Sequence, residues 1–284
     1  MRITVSTAFV IVPAWLLPVS AQEAAPRIVE GIADNSFFVE EAYNQEPGVV
    51  QHILTAAYFT DAMAGPDDES YELTFTQEWP LFTQKHQVGF TVPYCFIRSA
   101  GVSENGFGDA LLNYRYQAWF NEETLGAFAP RLSLILPSGD EDRGLGDDTV
   151  GAQINLPVST AIGDSWFVHF NAGTTILPDA ASANNRDLTD FNLGASGIYA
   201  ATPTLHFLLE WVGEWNDNLN AGGGTSREFS SIISPGMRMA FNFANDSQLV
   251  LGLAVPVGLT SESPDYGVFL YVSFEHFFTR SHER

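Results

Sequence analysis

The sequence predicts an all-β fold: a single antiparallel, up-and-down transmembrane β-barrel of about twelve strands. Three observations predict it. Long runs alternate apolar and polar residues with period two, the mark of a strand with one apolar and one polar face. The spacers between runs alternate in length, as they do where short turns lie on one side of a membrane and longer loops on the other. The chain opens like an exported protein, yet no later segment reaches the roughly 18 consecutive apolar residues of a spanning helix.

The clearest pattern runs from Gly106 to Asp140. Ala110, Leu112, Tyr114, Tyr116, Ala118 and Phe120 share one parity, against Asp109, Asn113, Arg115 and Gln117. After a short polar turn, Pro130, Leu132, Leu134 and Leu136 share one face, and Arg131 and Ser133 the other. Each run is long enough to cross a bilayer at a tilt, which takes about 9–11 residues.

The elements follow in order. Arg2, the apolar run Ala8–Val19 and the small residues Val19-Ser20-Ala21 predict a secretory signal over 1–21, cut near Ala21. Pro13 and Pro18 argue against a buried helix there. Export of a strand-rich chain suits the outer membrane of a Gram-negative cell. Residues 22–47 are acidic and lack long alternation, with Glu30, Asp34, Glu40, Glu41 and Glu46. This stretch reads as a periplasmic extension, a segment tucked into the lumen, or a disordered arm.

The barrel is expected over 48–278. Its runs are 48–60, 69–80, 84–97, 108–120, 125–137, 148–161, 164–177, 188–201, 203–216, 227–243, 246–259 and 266–278. Short links at Leu81 to Thr83, Asn121 to Thr124, Ile162-Gly163, Thr202-Pro203 and Ala244-Asn245 would be periplasmic turns. The longer spacers would be outer loops. Aromatic residues gather at run ends, such as Trp79 and Phe82, Trp119 and Phe120, and Trp166 and Phe167, as interfacial girdles do. A six-residue tail, 279–284, follows the last run.

With 34 acidic against 12 basic side chains, the chain would repel phosphate backbones, so no nucleic-acid partner is expected. The single Cys95 cannot form an internal disulfide. No cofactor motif appears: the Gly-rich stretches lack the Lys-Ser/Thr ending of a phosphate loop.

Alternation sorts the faces but not which one is inward. A soluble barrel hides its apolar face, whereas a membrane barrel shows it to lipid. The signal sequence favours the second, placing Phe75, Phe90, Leu209, Trp211 and Leu251 against lipid. The charged lumen-lining candidates are then Glu72, Glu78, Lys85, Asp109, Arg115, Arg131, Asp190, Glu210, Glu214, Arg238 and Glu275, with His169 and His206. Opposite charges could pair and plug the narrow bore, or line a small polar channel.

Asp140, Asp142, Asp147 and Asp148 are weak candidates for a divalent cation, since oxygen ligands cluster there but without EF-hand spacing. A solvated outer loop is the plainer explanation of the cluster. A lipid hydrolase would need a His and a Ser together on the exterior; no His-x-Ser pair appears, and His169 lies on the polar parity. No catalytic residue is assigned.

Some motifs are familiar. Gly106-Phe107-Gly108-Asp109 precedes Tyr114-Arg115-Tyr116, and Pro130-Arg131-Leu132 leads into Leu136-Pro137-Ser138-Gly139-Asp140. These resemble the outer-membrane transporter family labelled for the MetA pathway of phenol degradation, in which the second strand ends Pro-Thr-Gly-Asp. The resemblance implies a barrel and passage of small aromatic or apolar compounds. The last run, Tyr266 to Phe274, is similar to the closing strand that barrel-assembly machinery reads. The expected function is a channel for small solutes in outer-membrane lipid and lipopolysaccharide. The alternatives are a closed barrel acting through its acidic loops and, third, a lipid hydrolase.

Overall fold

A computed structural model describes residues 32, 36–61, 68–99, 101–180, 186–219 and 224–278. The expected signal sequence and C-terminal tail lie outside the described residues. The chain is a closed antiparallel barrel of 12 strands. The first three are Val49–Thr60, Glu69–Leu81 and Thr83–Ser99. The fourth is built in pieces, Val102–Phe107, Ala110–Tyr116 and Trp119–Asn121. The fifth and sixth are also interrupted: Gly126–Phe128 with Arg131–Leu136, then Gly151–Asn155 with Val158–Ile162. Strands seven to ten are long: Trp166–Ala180, Arg186–Thr202, Leu205–Leu219 and Thr225–Asn242. The eleventh is Gln248–Ala254 with Val257–Gly258, and the twelfth Tyr266–Phe277.

Each strand pairs with its sequence neighbours, and the first pairs with the last from Val49↔Phe277 to Thr60↔Tyr266. This seam leaves no open edge, so main-chain groups at membrane depth find partners within the wall. The apolar parity is the exposed one: Leu54, Phe75, Leu112, Leu209, Trp166 and Leu251 all face outward. The opposite parity is buried and polar, with Gln51, Gln87, Ser133, Asn171, Ser196 and Ser273. That inversion is the signature of a barrel whose solvent is lipid.

The short turns are tight, with Phe82 at φ 63, Gly163 at φ 62 and Asp246 at φ 63. The interrupted strands break near Gln117-Ala118, Ala129-Pro130 and Leu156-Pro157, on three adjacent strands. Pro130 and Pro157 bring no N–H to the ladder there. Hydrogen bonding still crosses the breaks: Ala118 N–H donates to the Phe128 carbonyl at 2.9 Å, and Ala129 N–H to that of Pro157 at 3.2 Å.

One break corrects the predicted parity. Gln117 is buried and both Ala118 and Trp119 are exposed, so the alternation slips by one residue. Phe120 therefore turns inward and meets the Tyr43 ring edge-on at 6.3 Å. A bulge inserts one residue and reverses every side chain beyond it. Phe167 also faces inward, stacked on His206, so the paired aromatics at run ends divide between the girdle and the lumen.

Candidate functional site: the occupied lumen

Residues 36–47 lie inside the barrel. Ser36, Phe37, Val39, Glu41, Ala42, Tyr43, Asn44 and Gln45 are all buried against the wall. The segment has no strand or helix of its own. Its main-chain groups need partners once dehydrated, and wall side chains supply them.

Glu210, on the ninth strand, accepts three consecutive N–H groups. Phe37 donates at 3.2 Å, Phe38 at 3.0 Å and Val39 at 3.1 Å. Asn171 on the seventh strand makes a two-way contact with Glu40, accepting from its N–H at 2.7 Å and donating to its carbonyl at 2.8 Å. Ser159 on the sixth strand accepts from Ala42 N–H at 2.7 Å and bonds His169 Nδ1 at 2.7 Å. Arg115 donates to the Glu41 carbonyl at 2.8 Å, and Gln117 to that of Ala42 at 3.1 Å. Gln87 on the third strand accepts from Gln45 N–H at 2.8 Å.

Side chains add a second set of contacts. The Glu40 carboxylate pairs with Arg131 at 2.5 Å, and Arg131 also donates to Gln153 at 2.7 Å. Arg115 reaches Glu78 at 3.5 Å. Tyr43 OH donates to the Leu125 carbonyl at 2.6 Å, where the fourth strand turns into the fifth.

The apolar side chains of the segment fill a separate slot. The Phe37 ring lies 5.5 Å from Phe269 and 5.4 Å from Tyr271, and Phe38 lies 4.7 Å from Phe269. Val250, Ala254, Ile198 and Leu208 complete this buried cluster. Gly236 and Gly252 leave room for the ring. A Cβ on Gly252 would sit 2.5 Å from two Phe37 ring carbons, and one on Gly236 at 2.7 Å from a third.

The predicted lumen candidates divide into four groups. Glu78, Arg115, Arg131, His169 and Glu210 come together around the segment. His206, Arg238 and Glu275 are buried in the wall, with Arg238 Nε donating to His206 Nδ1 at 3.4 Å. Glu72, Lys85 and Glu214 are exposed. Asp109 and Asp190 belong to the loop end: Asp109 accepts Gly139 N–H at 2.8 Å and Asp147 N–H at 3.0 Å, and Asp190 accepts Asp217 N–H at 2.8 Å.

Sequence reasoning passed over Ser159, and it put Gln117 and Gln87 on the polar parity without naming them among the site residues; the polar atoms of all three hold the main chain. The Ser159–His169 pairing had a signal. The two lie on either side of the Ile162-Gly163 turn and are direct partners in the hairpin register, Ser159↔His169. The lone His169 on its strand hid a hydroxyl on the next one.

The familiar motifs shape the outer loop. Ser138 Oγ donates to the Gly108 carbonyl at 2.9 Å and accepts Ala110 N–H at 2.9 Å, tying the two strands where they leave the wall. A Cβ on Gly139 would lie 2.2 Å from the Leu145 carbonyl oxygen, so glycine is required there. Asp140, Asp142 and Asp148 point into solvent, and no group of three or more metal-type ligands forms among the described residues.

Burial and the neighbouring Asp109, Asp190 and Glu141 carboxylates raise the pKa of Asp147 above its ordinary value. The folded loop therefore holds that proton more tightly than the unfolded loop does. Loop stability is highest below the ordinary carboxylate range and falls as pH rises through and above it. Asp147→Asn removes the repulsion from the Asp109, Asp190 and Glu141 carboxylates. It is expected to slow protease cleavage of the 138–148 loop at pH 7 and to flatten the pH dependence of the cleavage rate.

No curated protein matches the chain in sequence. An outer membrane channel from Pseudomonas putida F1 superposes with a TM-score of 0.63 at 14% identity, over 84% of this chain and 98% of that one. At this identity the likeness shows the fold. LpxR from Salmonella typhimurium gives a TM-score of 0.42 at 11% identity, over 80% of this chain and 100% of its own. The P. putida toluene transporter TodX gives 0.35 at 10%, over 82% and 90%. Those two scores are too low to carry an argument. The family model described as "Putative MetA-pathway of phenol degradation" matches residues 33–275, and the chain belongs to that family of outer-membrane β-barrels.

Proposed function

We propose that the protein is an outer-membrane channel for small aromatic solutes, closed in this state by residues 36–47 and opened when that segment leaves. One observation carries the reading: a lumen slot, walled by Phe269 and Tyr271 and cleared by Gly236 and Gly252, already holds an aromatic ring. Larger residues at positions 236 and 252 would fill this space from the wall itself; the two glycines instead leave a ring-sized gap that Phe37 of the inner segment occupies. The family description, which names phenol degradation, agrees with this solute class.

The test is uptake by proteoliposomes. Small aromatic solutes such as phenol should enter faster than sugars that permeate open porins, with ion current in planar bilayers low and intermittent. Absence of flux for both aromatics and ions sinks the channel reading. The filled lumen also favours a second reading, a permanently closed barrel that acts through its acidic outer loops. It predicts zero flux under every condition and loss of surface binding when residues 138–147 are trimmed.

A further inference from the structure

The contacts inside the barrel have an uneven distribution. Six N–H groups of the inner segment, those of residues 37, 38, 39, 40, 42 and 45, donate to wall side chains. The carbonyls of residues 40, 41 and 42 accept from Asn171, Arg115 and Gln117. The wall groups come from strands three, four, six, seven and nine, far apart in sequence, and converge on one irregular chain that bends at residues 37–39 so that three successive N–H groups meet one carboxylate. Main-chain groups are common to every peptide. A wall that satisfies them in this way recognises a peptide backbone more than a sequence.

Two features add selectivity. The slot between Gly236 and Gly252 takes one aromatic side chain, that of Phe37. Gly194 opens the wall beside Val39, since a Cβ there would lie 3.0 Å from a Val39 methyl carbon. The arrangement is that of a receptor with its ligand bound, in which the ligand happens to be covalently continuous with the receptor.

The geometry points to a peptide-binding lumen. It holds residues 36–47 in cis and, when they are displaced, accepts a separate oligopeptide in the same bent, irregular conformation, with an aromatic residue near its N-terminal end. The inference rests on the occupied lumen and not on conduction, so it stands whether or not solutes pass.

The test uses the full chain with a protease site inserted between Pro47 and Gly48. The barrel is folded in detergent, its folding is checked by heat-modifiable migration, and the site is then cut. The severed fragment should stay on the barrel through gel filtration and exchange with an excess of dye-labelled peptide of sequence 36–47, read by fluorescence polarisation. A peptide of the same length and unrelated sequence, with Phe kept at its second position, should bind within about tenfold. The same 36–47 peptide carrying N-methyl groups on the amides of Phe38 and Val39 loses two donors to a carboxylate. It should bind at least about tenfold more weakly.

Because the decisive change is made in the peptide, a misfolded variant cannot produce it. Two outcomes overturn the inference: no saturable binding of labelled peptide after the fragment has left, or equal binding of the N-methylated and parent peptides. No current is measured in these experiments. Zero flux would remove the channel reading without touching this one, and failed peptide exchange would remove this one alone.

Discussion

Replacing Glu210 with alanine is expected to open the barrel. The substitution leaves the N–H groups of residues 37, 38 and 39 without their acceptor in a buried site. Each buried unsatisfied donor costs about 1–3 kcal/mol. Allowing for relaxation of the segment, a total near 3 kcal/mol shifts the docked-to-released equilibrium by roughly a hundredfold, at about 1.4 kcal/mol per tenfold. Single-channel recordings should show current for a much larger fraction of time than in the parent protein. Protease should reach residues 36–47 while the barrel itself resists. Glu210→Gln, which keeps one oxygen acceptor, should fall between the two. Unchanged conductance together with unchanged protection would mean that the carboxylate does not hold the segment.

Phe37→Ala is expected to create an aromatic binding site. Removing a buried phenylalanine ring costs about 3–5 kcal/mol where the surroundings cannot collapse. Here the backbones of Gly236 and Gly252 and the rings of Phe269 and Tyr271 border the gap, and they sit on hydrogen-bonded strands that resist closing in. An apolar cavity of this kind stays dry and binds small aromatic molecules. Toluene should therefore bind the variant saturably and raise its thermal stability. The gain should be about 2.7 kcal/mol at a hundred times the dissociation constant. The parent, with its slot filled, should show no such shift. Gly252→Leu placed on Phe37→Ala fills the same space and should abolish toluene binding. Failure of the single variant to bind toluene would remove the aromatic slot from the functional reading.

Much of the wall was legible in the chain. Period-two alternation and alternating spacer lengths are local properties, imposed residue by residue by the pleat and by the length needed to cross a membrane. The twelve expected runs and the five short links match the observed strands and turns to within a few residues, except that the fourth strand starts at Val102 rather than 108, within a spacer expected to be a loop. The interior was less legible, for three different reasons. Which face is inward is a global property, because a barrel and its inverse share one alternation. At Gln117-Ala118 a single bulge residue reversed Phe120, and one inserted residue leaves no compositional trace. Residues 36–47 form no regular element, so no periodicity marks them; their partners lie as far apart in sequence as Gln84 on the third strand and Tyr271 on the twelfth.

The sequence alone determined the class of fold, the number of strands, the positions of the short turns and which residues share a face of each strand. Each follows from a repeat written along a few consecutive residues. Only the tertiary structure decided that Glu210, Asn171, Ser159 and Arg115 serve a main chain and that Phe37 fills the gap between Gly236 and Gly252. Closing the barrel brings side chains of distant strands to one point, and an irregular segment gains its partners only when that closure has occurred.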